Sequence, residues 1–216
     1  MSATNTILQF LNPARTNDSL IPIVLVAVHG LNPLDKESHA EATWTVDGKL
    51  WLRDFLPKRV PGARILLFGY NANVAIHTTT AGVWEEASNL LNRLEGLRER
   101  DPGRPLIFIC HSLGGIIVKR ALVHSSSDSL YRNINKSTYG IVFFGTPHNG
   151  GAYAEIGHQI AKFCRYILRN PSNTFMHALK KNSVFLDSIT GDFRHQLEKL
   201  EIISFYETQP LSYLGI

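Results

Sequence analysis

Cysteine is scarce in this 216-residue chain, which contains only Cys110 and Cys164. Both lie in apolar contexts and are not closely spaced, so the sequence predicts buried thiols rather than a disulfide framework or a metal site. We therefore expect no metal and no cofactor. Runs of Lys and Arg interleaved with aromatic residues are also missing, and the net charge of +4 is modest. Both features argue against a nucleic-acid partner.

Long apolar runs are missing as well. No stretch reaches the roughly 20 residues that a membrane-spanning helix needs. The first twenty residues are polar and lack the apolar core of a secretory signal, which predicts an intracellular, cytoplasmic protein. What the chain does have is 44% hydrophobic residues, enough for a sizeable core at this length. We expect a lead-in over residues 1–21 and one domain over residues 22–216.

The stretch over residues 107–115 is the most informative in the chain. An apolar run over residues 106–110 predicts a buried strand, and residues 114–122 predict a helix packed closely against it. Ser112 lies between them in a Gly-x-Ser-x-Gly pattern whose first glycine is replaced by Cys110. This pattern is typical of a nucleophile elbow, a sharp turn that lifts a serine hydroxyl above a sheet. Ser112 is therefore the candidate nucleophile.

Strand and helix signals alternate along most of the chain. A continuous β-branched run predicts a strand over residues 23–28, and apolar runs predict further strands over residues 64–70, 139–144 and 201–206. Apolar residues at helical spacing predict helices over residues 47–57 and 81–100, whereas residues 124–138 read as a polar surface connection. Such alternation indicates a mostly parallel sheet with helices on both faces.

The loop after the first central strand has a predicted role beside Ser112. In a serine hydrolase of this architecture, that loop supplies one backbone N–H of the oxyanion hole, and the residue after the nucleophile supplies the other. Here Leu31 and Leu113 occupy those positions. The competing interpretation of His29-Gly30 is a glycine turn beside a hydrogen-bonded histidine.

His148 follows the strand over residues 139–144, at the sheet edge where ligands of open α/β folds collect. It is therefore expected near Ser112, where it either contacts the reacting groups or fixes its own loop. Residues 151–200 show helical patterns with seven Lys or Arg and four Asp or Glu. They predict a cap-like insertion whose charges either meet anionic lipid or form solvated helix faces.

Five motifs together resemble one known family. They are His29-Gly30-Leu31, residues 51–57, Phe68-Gly69-Tyr70, residues 110–115 and residues 144–148. The combination resembles the serine-active-site-containing family of α/β hydrolases, including fungal members that precede NACHT or ankyrin modules, and more distantly lipase-like deacylases. The resemblance implies an α/β-hydrolase fold and hydrolysis of acyl esters or lipids. It also implies a downstream signalling domain, peripheral membrane contact, and mitochondrial or endoplasmic-reticulum association as the alternative location.

The catalytic triad raises a conflict with the sequence. The order in this fold is serine, acid, histidine, and Glu207, after the last predicted strand, matches the place of the acid. No histidine follows Glu207. The sequence thus predicts a C-terminally truncated, catalytically impaired hydrolase, with His148 as the rival base and an exposed strand-end carboxylate as the alternative for Glu207. The competing functional class is a non-catalytic module that binds lipid or a protein partner.

Overall fold

The computed structural model describes residues 6–11, 23–30, 32, 38–72, 80–99, 101–146 and 188–206. The strands in these ranges are β1 Ile7–Phe10, β2 Val24–Val28, β3 Thr45–Val46, β4 Lys49–Leu50, β5 Arg64–Gly69, β6 Leu106–His111, β7 Thr138–Phe144 and β8 Glu201–Phe205. Six of them form one sheet in the order β1-β5-β2-β6-β7-β8. Strand β1 runs antiparallel to β5, and all other neighbours are parallel. The predicted mostly parallel sheet is confirmed.

The three central strands of the sheet end at one edge. Val28 of β2 lies beside Cys110 of β6, which in turn lies beside Phe143 of β7. All five residues of β2 are buried, as the continuous apolar run predicted. Because parallel strands direct their carboxyl ends the same way, the loops that follow β2, β6 and β7 meet at this edge.

Helices cover both faces of the sheet. Among the helices in the described residues are α1 His39–Ala42, α2 Trp51–Asp54, α3 Leu56–Arg59, α4 Thr80–Arg98, α5 Leu113–Ser127 and α6 Arg132–Ser137, and short 3-10 helices cover Ser129–Tyr131 and Arg194–Lys199. Alternate residues of β2 point to opposite faces. Val26 packs in the core with α4, α5 and α6, whereas Ala27 packs with Trp44 and Leu52 on the other side.

The segment over residues 45–60 corrects the predicted helix over residues 47–57. Strands β3 and β4 form a hairpin, and the helical part begins at Trp51 and divides at Phe55. Asp47 and Gly48 have φ values of 50° and 71°, as a two-residue hairpin turn with a compatible twist requires. Pro57 lies in the first turn of α3, where its missing N–H costs nothing.

Three other segments correct or extend the prediction. Residues 7–10 were predicted as part of an extended lead-in, but they form a strand of the sheet. The predicted surface connection over residues 124–138 is instead largely helical: α5 extends to Ser127, and Ile134 of α6 is buried in the core. Most of the predicted insertion lies outside the described residues. Residues 188–199 are helical, with Ile189 and Phe193 buried in the core.

Candidate active site

Ser112 lies in a strained turn between β6 and α5. Its φ of 49° and ψ of −119° are rare for a residue with a side chain, and such a conformation costs about 1–3 kcal/mol. Two long-range hydrogen bonds and one local hydrogen bond hold it. The Ser112 N–H donates to the Phe144 carbonyl at 2.9 Å, and the Ser112 carbonyl accepts from the Gly115 N–H at 3.1 Å and from the Thr146 hydroxyl at 3.1 Å. Strand β7 therefore stabilises the turn.

Glycines allow three segments to meet around Ser112. A Cβ on Gly30 would lie 2.9 Å from the Ser112 Cβ, so the chain after β2 runs directly beside this serine. A Cβ on Gly114 would lie 2.4 Å from the carbonyl oxygens of both Val28 and His29. Since neither contact can exist with a larger residue, glycine at these positions brings α5 and the loop after β2 against Ser112.

His29 holds the start of that loop and is not free to act as a base. The Tyr70 N–H can only donate, so it fixes Nε2 of His29 as an acceptor at 3.2 Å, and Nδ1–H then donates to the Gly30 carbonyl at 2.7 Å. Burial, as the largest cause, lowers the pKa of His29 from 6.5 to about 3. The ring is therefore neutral with both nitrogens occupied, which agrees with the interpretation of a hydrogen-bonded histidine.

Neighbouring His111 is also held neutral. Burial lowers its pKa from 6.5 to about 4, and His39 nearby lowers it further. Its ring packs edge-on against Trp44, with ring centroids 6.4 Å apart. Cys110, two residues before Ser112, is a free and fully buried thiol, and burial raises its pKa well above the usual value. The site thus sits in an apolar environment that disfavours charge.

The structure describes only part of the predicted site. Ser112 and Leu113 lie at the start of α5, and the Gly30 carbonyl precedes Leu31. Leu31 itself, His148 and Glu207 lie outside the described residues. The strands that precede His148 and Glu207 end side by side, because the Gly145 N–H donates to the Phe205 carbonyl at 2.9 Å.

Sequence reasoning missed Thr146, which contacts the backbone of Ser112. It is only 3% exposed. The signal available was its position just after a predicted strand, in the Gly-Thr-Pro-His run, where the titratable His148 was the more obvious candidate.

None of the helices formed by described residues is long and apolar enough to cross a bilayer. Within the same ranges, His, Cys, Asp and Glu form no cluster of three that could hold a metal ion.

Comparison with known proteins identifies relatives of part of the chain. No family model matches the sequence. The chain is 29% identical over 188 residues to Protein SERAC1 of Bos taurus, covering 84% of this chain and 27% of that protein. It is 30% identical over 172 residues to Protein SERAC1 of Danio rerio, covering 76% and 25% respectively. The chain thus spans about a quarter of the length of these curated relatives.

Among solved structures, the mature form of the Bacillus licheniformis lipase BlEst2 matches with a TM-score of 0.56. The match covers 94% of this chain and 72% of that one at 17% identity. At this identity the likeness is evidence for a shared fold alone. The chain has the α/β-hydrolase fold. The predicted fold class is therefore confirmed. In this α/β-hydrolase fold, Ser112 follows an interior strand of the sheet, flanked by β2 and β7.

Proposed function

We propose that the chain is a serine hydrolase that acts on acyl esters through Ser112. The observation that carries the proposal is the strained backbone of Ser112, with a φ of 49° at the carboxyl end of a buried central strand. Strain of this kind persists only where the surrounding structure enforces it, and it is concentrated at functional sites. The likeness in fold to a lipase and the relationship to SERAC1 proteins support the same chemistry.

The proposed reaction follows the covalent route of serine hydrolases. The Ser112 Oγ attacks the acyl carbon while a base accepts its proton, and the N–H groups of Leu31 and Leu113 stabilise the resulting oxyanion. Collapse of this intermediate expels the alcohol, which takes up the proton, and leaves Ser112 acylated. Water then attacks the acyl-enzyme by the same steps, releasing the carboxylic acid and regenerating the serine hydroxyl.

The base is the open element of this proposal. His29 is excluded because both its nitrogens are bonded. His148 and Glu207 follow the adjacent ends of β7 and β8 in sequence, which supports their roles as base and acid. The usual triad order instead requires a histidine after the acid. We therefore propose His148 as the base, acting outside that order, and the alternative is a histidine of a longer form of the chain.

A covalent probe tests the nucleophile separately from full turnover. A fluorophosphonate, from which the serine oxygen displaces fluoride, should label the wild-type chain at Ser112 as located by mass spectrometry. Ser112→Ala should abolish labelling. Ser126→Ala should leave it unchanged, since Ser126 is an exposed serine of the same helix whose hydroxyl bonds the Val123 carbonyl. A folded wild-type chain that resists the probe would contradict the proposal and favour the non-catalytic binding module.

Hydrolysis of a short acyl ester then identifies the base. Losing the base of a triad lowers turnover by about 10⁴-fold or more. If His148 is the base, His148→Ala should remove the activity of the 216-residue chain. If the base lies beyond Ile216, only a form extended past Ile216 should turn over, and His148→Ala should not affect it.

The basic character of residues 151–200 supports, in addition, peripheral contact with anionic lipid.

A further inference from the structure

We propose that Thr146 is a positioning residue that sets the direction of the Leu113 N–H in the oxyanion hole. The inference rests on the proposed function, since it assigns a task to one contact of the same site. The Thr146 hydroxyl bonds the backbone carbonyl of Ser112 rather than its Oγ. Its proposed effect therefore passes through the peptide between Ser112 and Leu113.

The geometry of one peptide unit carries the inference. The Thr146 hydroxyl donates to the Ser112 carbonyl at 3.1 Å, and this contact is buried. That carbonyl and the Leu113 N–H belong to the same planar peptide. In a trans peptide the C=O and the N–H point in opposite directions, so anchoring the oxygen fixes where the N–H points. Thr146 therefore holds one end of a rigid unit whose other end is the proposed oxyanion donor.

Thr146 is itself held rigidly. A Cβ on Gly115 would lie 2.4 Å from its Oγ1 and 2.5 Å from its Cγ2, so the side chain fills the space that this glycine leaves. The β-branched side chain has few rotamers to choose from. Its backbone follows Gly145, whose N–H bonds the Phe205 carbonyl at 2.9 Å. The hydroxyl consequently cannot swing away from Ser112 without disturbing α5 or β8.

The hydroxyl has a second effect on the same peptide. A hydrogen bond to a carbonyl polarises the peptide and makes its N–H a stronger donor. The Ser112 carbonyl would keep its bond from the Gly115 N–H at 3.1 Å if the hydroxyl were removed. Loss of Thr146 Oγ1 should therefore leave the turn folded, while the Leu113 N–H becomes a weaker and less well-directed donor.

Two substitutions and one matched control test this role. Thr146→Val removes the hydroxyl and keeps the shape, whereas Thr146→Ser keeps the hydroxyl. Thr138→Val is the control, because Thr138 is also buried and its hydroxyl also donates to a backbone carbonyl, that of Ile134, at 2.7 Å. It lies at the opposite end of β7 from Phe144. Both Val variants should lose comparable stability, so only the site readouts distinguish them.

Two readouts are compared in each variant. The second-order rate constant of fluorophosphonate labelling should fall about 10- to 100-fold in Thr146→Val. This fall is no larger than the one expected from removing a whole oxyanion donor. It should stay within about threefold of wild type in Thr146→Ser and Thr138→Val. The amide proton resonance of Leu113, followed by NMR, should move in Thr146→Val alone. Equal labelling rates in all variants, or equal losses in Thr146→Ser and Thr146→Val, would overturn the inference.

The NMR readout separates this inference from the proposed function. If the wild-type chain resists the probe, the proposed hydrolase activity fails. The Leu113 amide still reports whether Thr146 sets this peptide. An unchanged Leu113 resonance in folded Thr146→Val would show that Thr146 does not position the peptide, whatever the labelling result.

Discussion

Lys119 of α5 carries an amine in a largely apolar place. The residue is 1% exposed, and its Nζ lies 5.6 Å from the Phe143 ring centroid and 6.0 Å from that of Phe193. Burial, as the largest cause, lowers its pKa from 10.5 to about 8, against a smaller opposing effect of Cys110. Desolvation of the amine thus outweighs the opposing effect of Cys110 on this pKa.

This shift predicts a pH-dependent stability difference. Between about pH 8 and 10.5 the unfolded chain retains the Lys119 proton that the folded chain has lost, so the contribution of Lys119 to stability rises with pH. Relative to Lys119→Met, the wild-type free energy of unfolding should gain up to about 1.4 kcal/mol per pH unit in that window. Urea denaturation of both proteins between pH 7 and 10.5 measures it. The exposed Lys136→Met is the control, and a parallel pH dependence of wild type and Lys119→Met would refute the assignment.

The position of Ser112 and Leu113 at a strand-to-helix turn was predictable from sequence. The strand, the turn and the glycines occur there in a fixed order, whereas the roles of the two residues stay predictions. The contact of Thr146 to the Ser112 carbonyl was not predictable, because it joins two segments 34 residues apart and leaves no local signature. The bonds of His29 to Tyr70 were equally out of reach, since they depend on how two adjacent strands end.

Among the elements, α5 approaches β2 closely because of a single glycine. A Cβ on Gly114 would meet two backbone carbonyl oxygens at 2.4 Å, and backbone cannot move aside as a flexible side chain can. Gly114→Ala should therefore destabilise the protein by about 3 kcal/mol. Gly96→Ala is the matched control in α4, since nothing lies within 4 Å of the added Cβ.

The control should change stability in the opposite direction. Alanine in the interior of a helix is favoured over glycine by about 1 kcal/mol. Urea denaturation of Gly96→Ala should therefore show a higher midpoint than wild type, and Gly114→Ala a lower one. Similar midpoints for the two variants would mean that α5 can shift away from β2 at little cost.

The elements themselves were predictable to different degrees. Strands β2, β5, β6, β7 and β8 were found because buried parallel strands read as continuous apolar runs. The hairpin of β3 and β4 was missed because the predicted helix included Asp47 and Gly48, although the helical spacing begins only at Trp51. An adjacent Asp-Gly pair is typical of a hairpin turn and was the better signal. Strand β1 was missed because its pairing with β5 is set by the sheet and not by its four residues.

For the molecule as a whole, the neutral histidines beside Ser112 predict sensitivity to acid. His29 and His111 have pKa values lowered to about 3 and about 4, whereas the unfolded chain takes up these protons near pH 6.5. Stability contributed by the neutral rings is present above pH 6.5 and is lost as the pH falls. With two protons involved, the loss should reach up to about 2.8 kcal/mol per pH unit between about pH 6 and 4.

Denaturation at a series of pH values tests this acid sensitivity. His29→Asn keeps a side-chain N–H that can reach the Gly30 carbonyl but cannot titrate. Its free energy of unfolding should depend on pH about half as steeply as that of wild type between pH 6 and 4. An identical slope in both proteins would show that other groups govern acid unfolding.

The contacts of Ser112 also order the events of folding. Strand β6 and helix α5 are close in sequence, but the groups that hold the positive φ of Ser112 belong to Phe144 and Thr146. Until β7 has docked beside β6, the bonds to Phe144 and Thr146 are missing, and the strain favours an ordinary backbone conformation at Ser112. During synthesis from the N-terminus, the positive-φ turn at Ser112 therefore forms after the sheet around it, as a late product of long-range pairing.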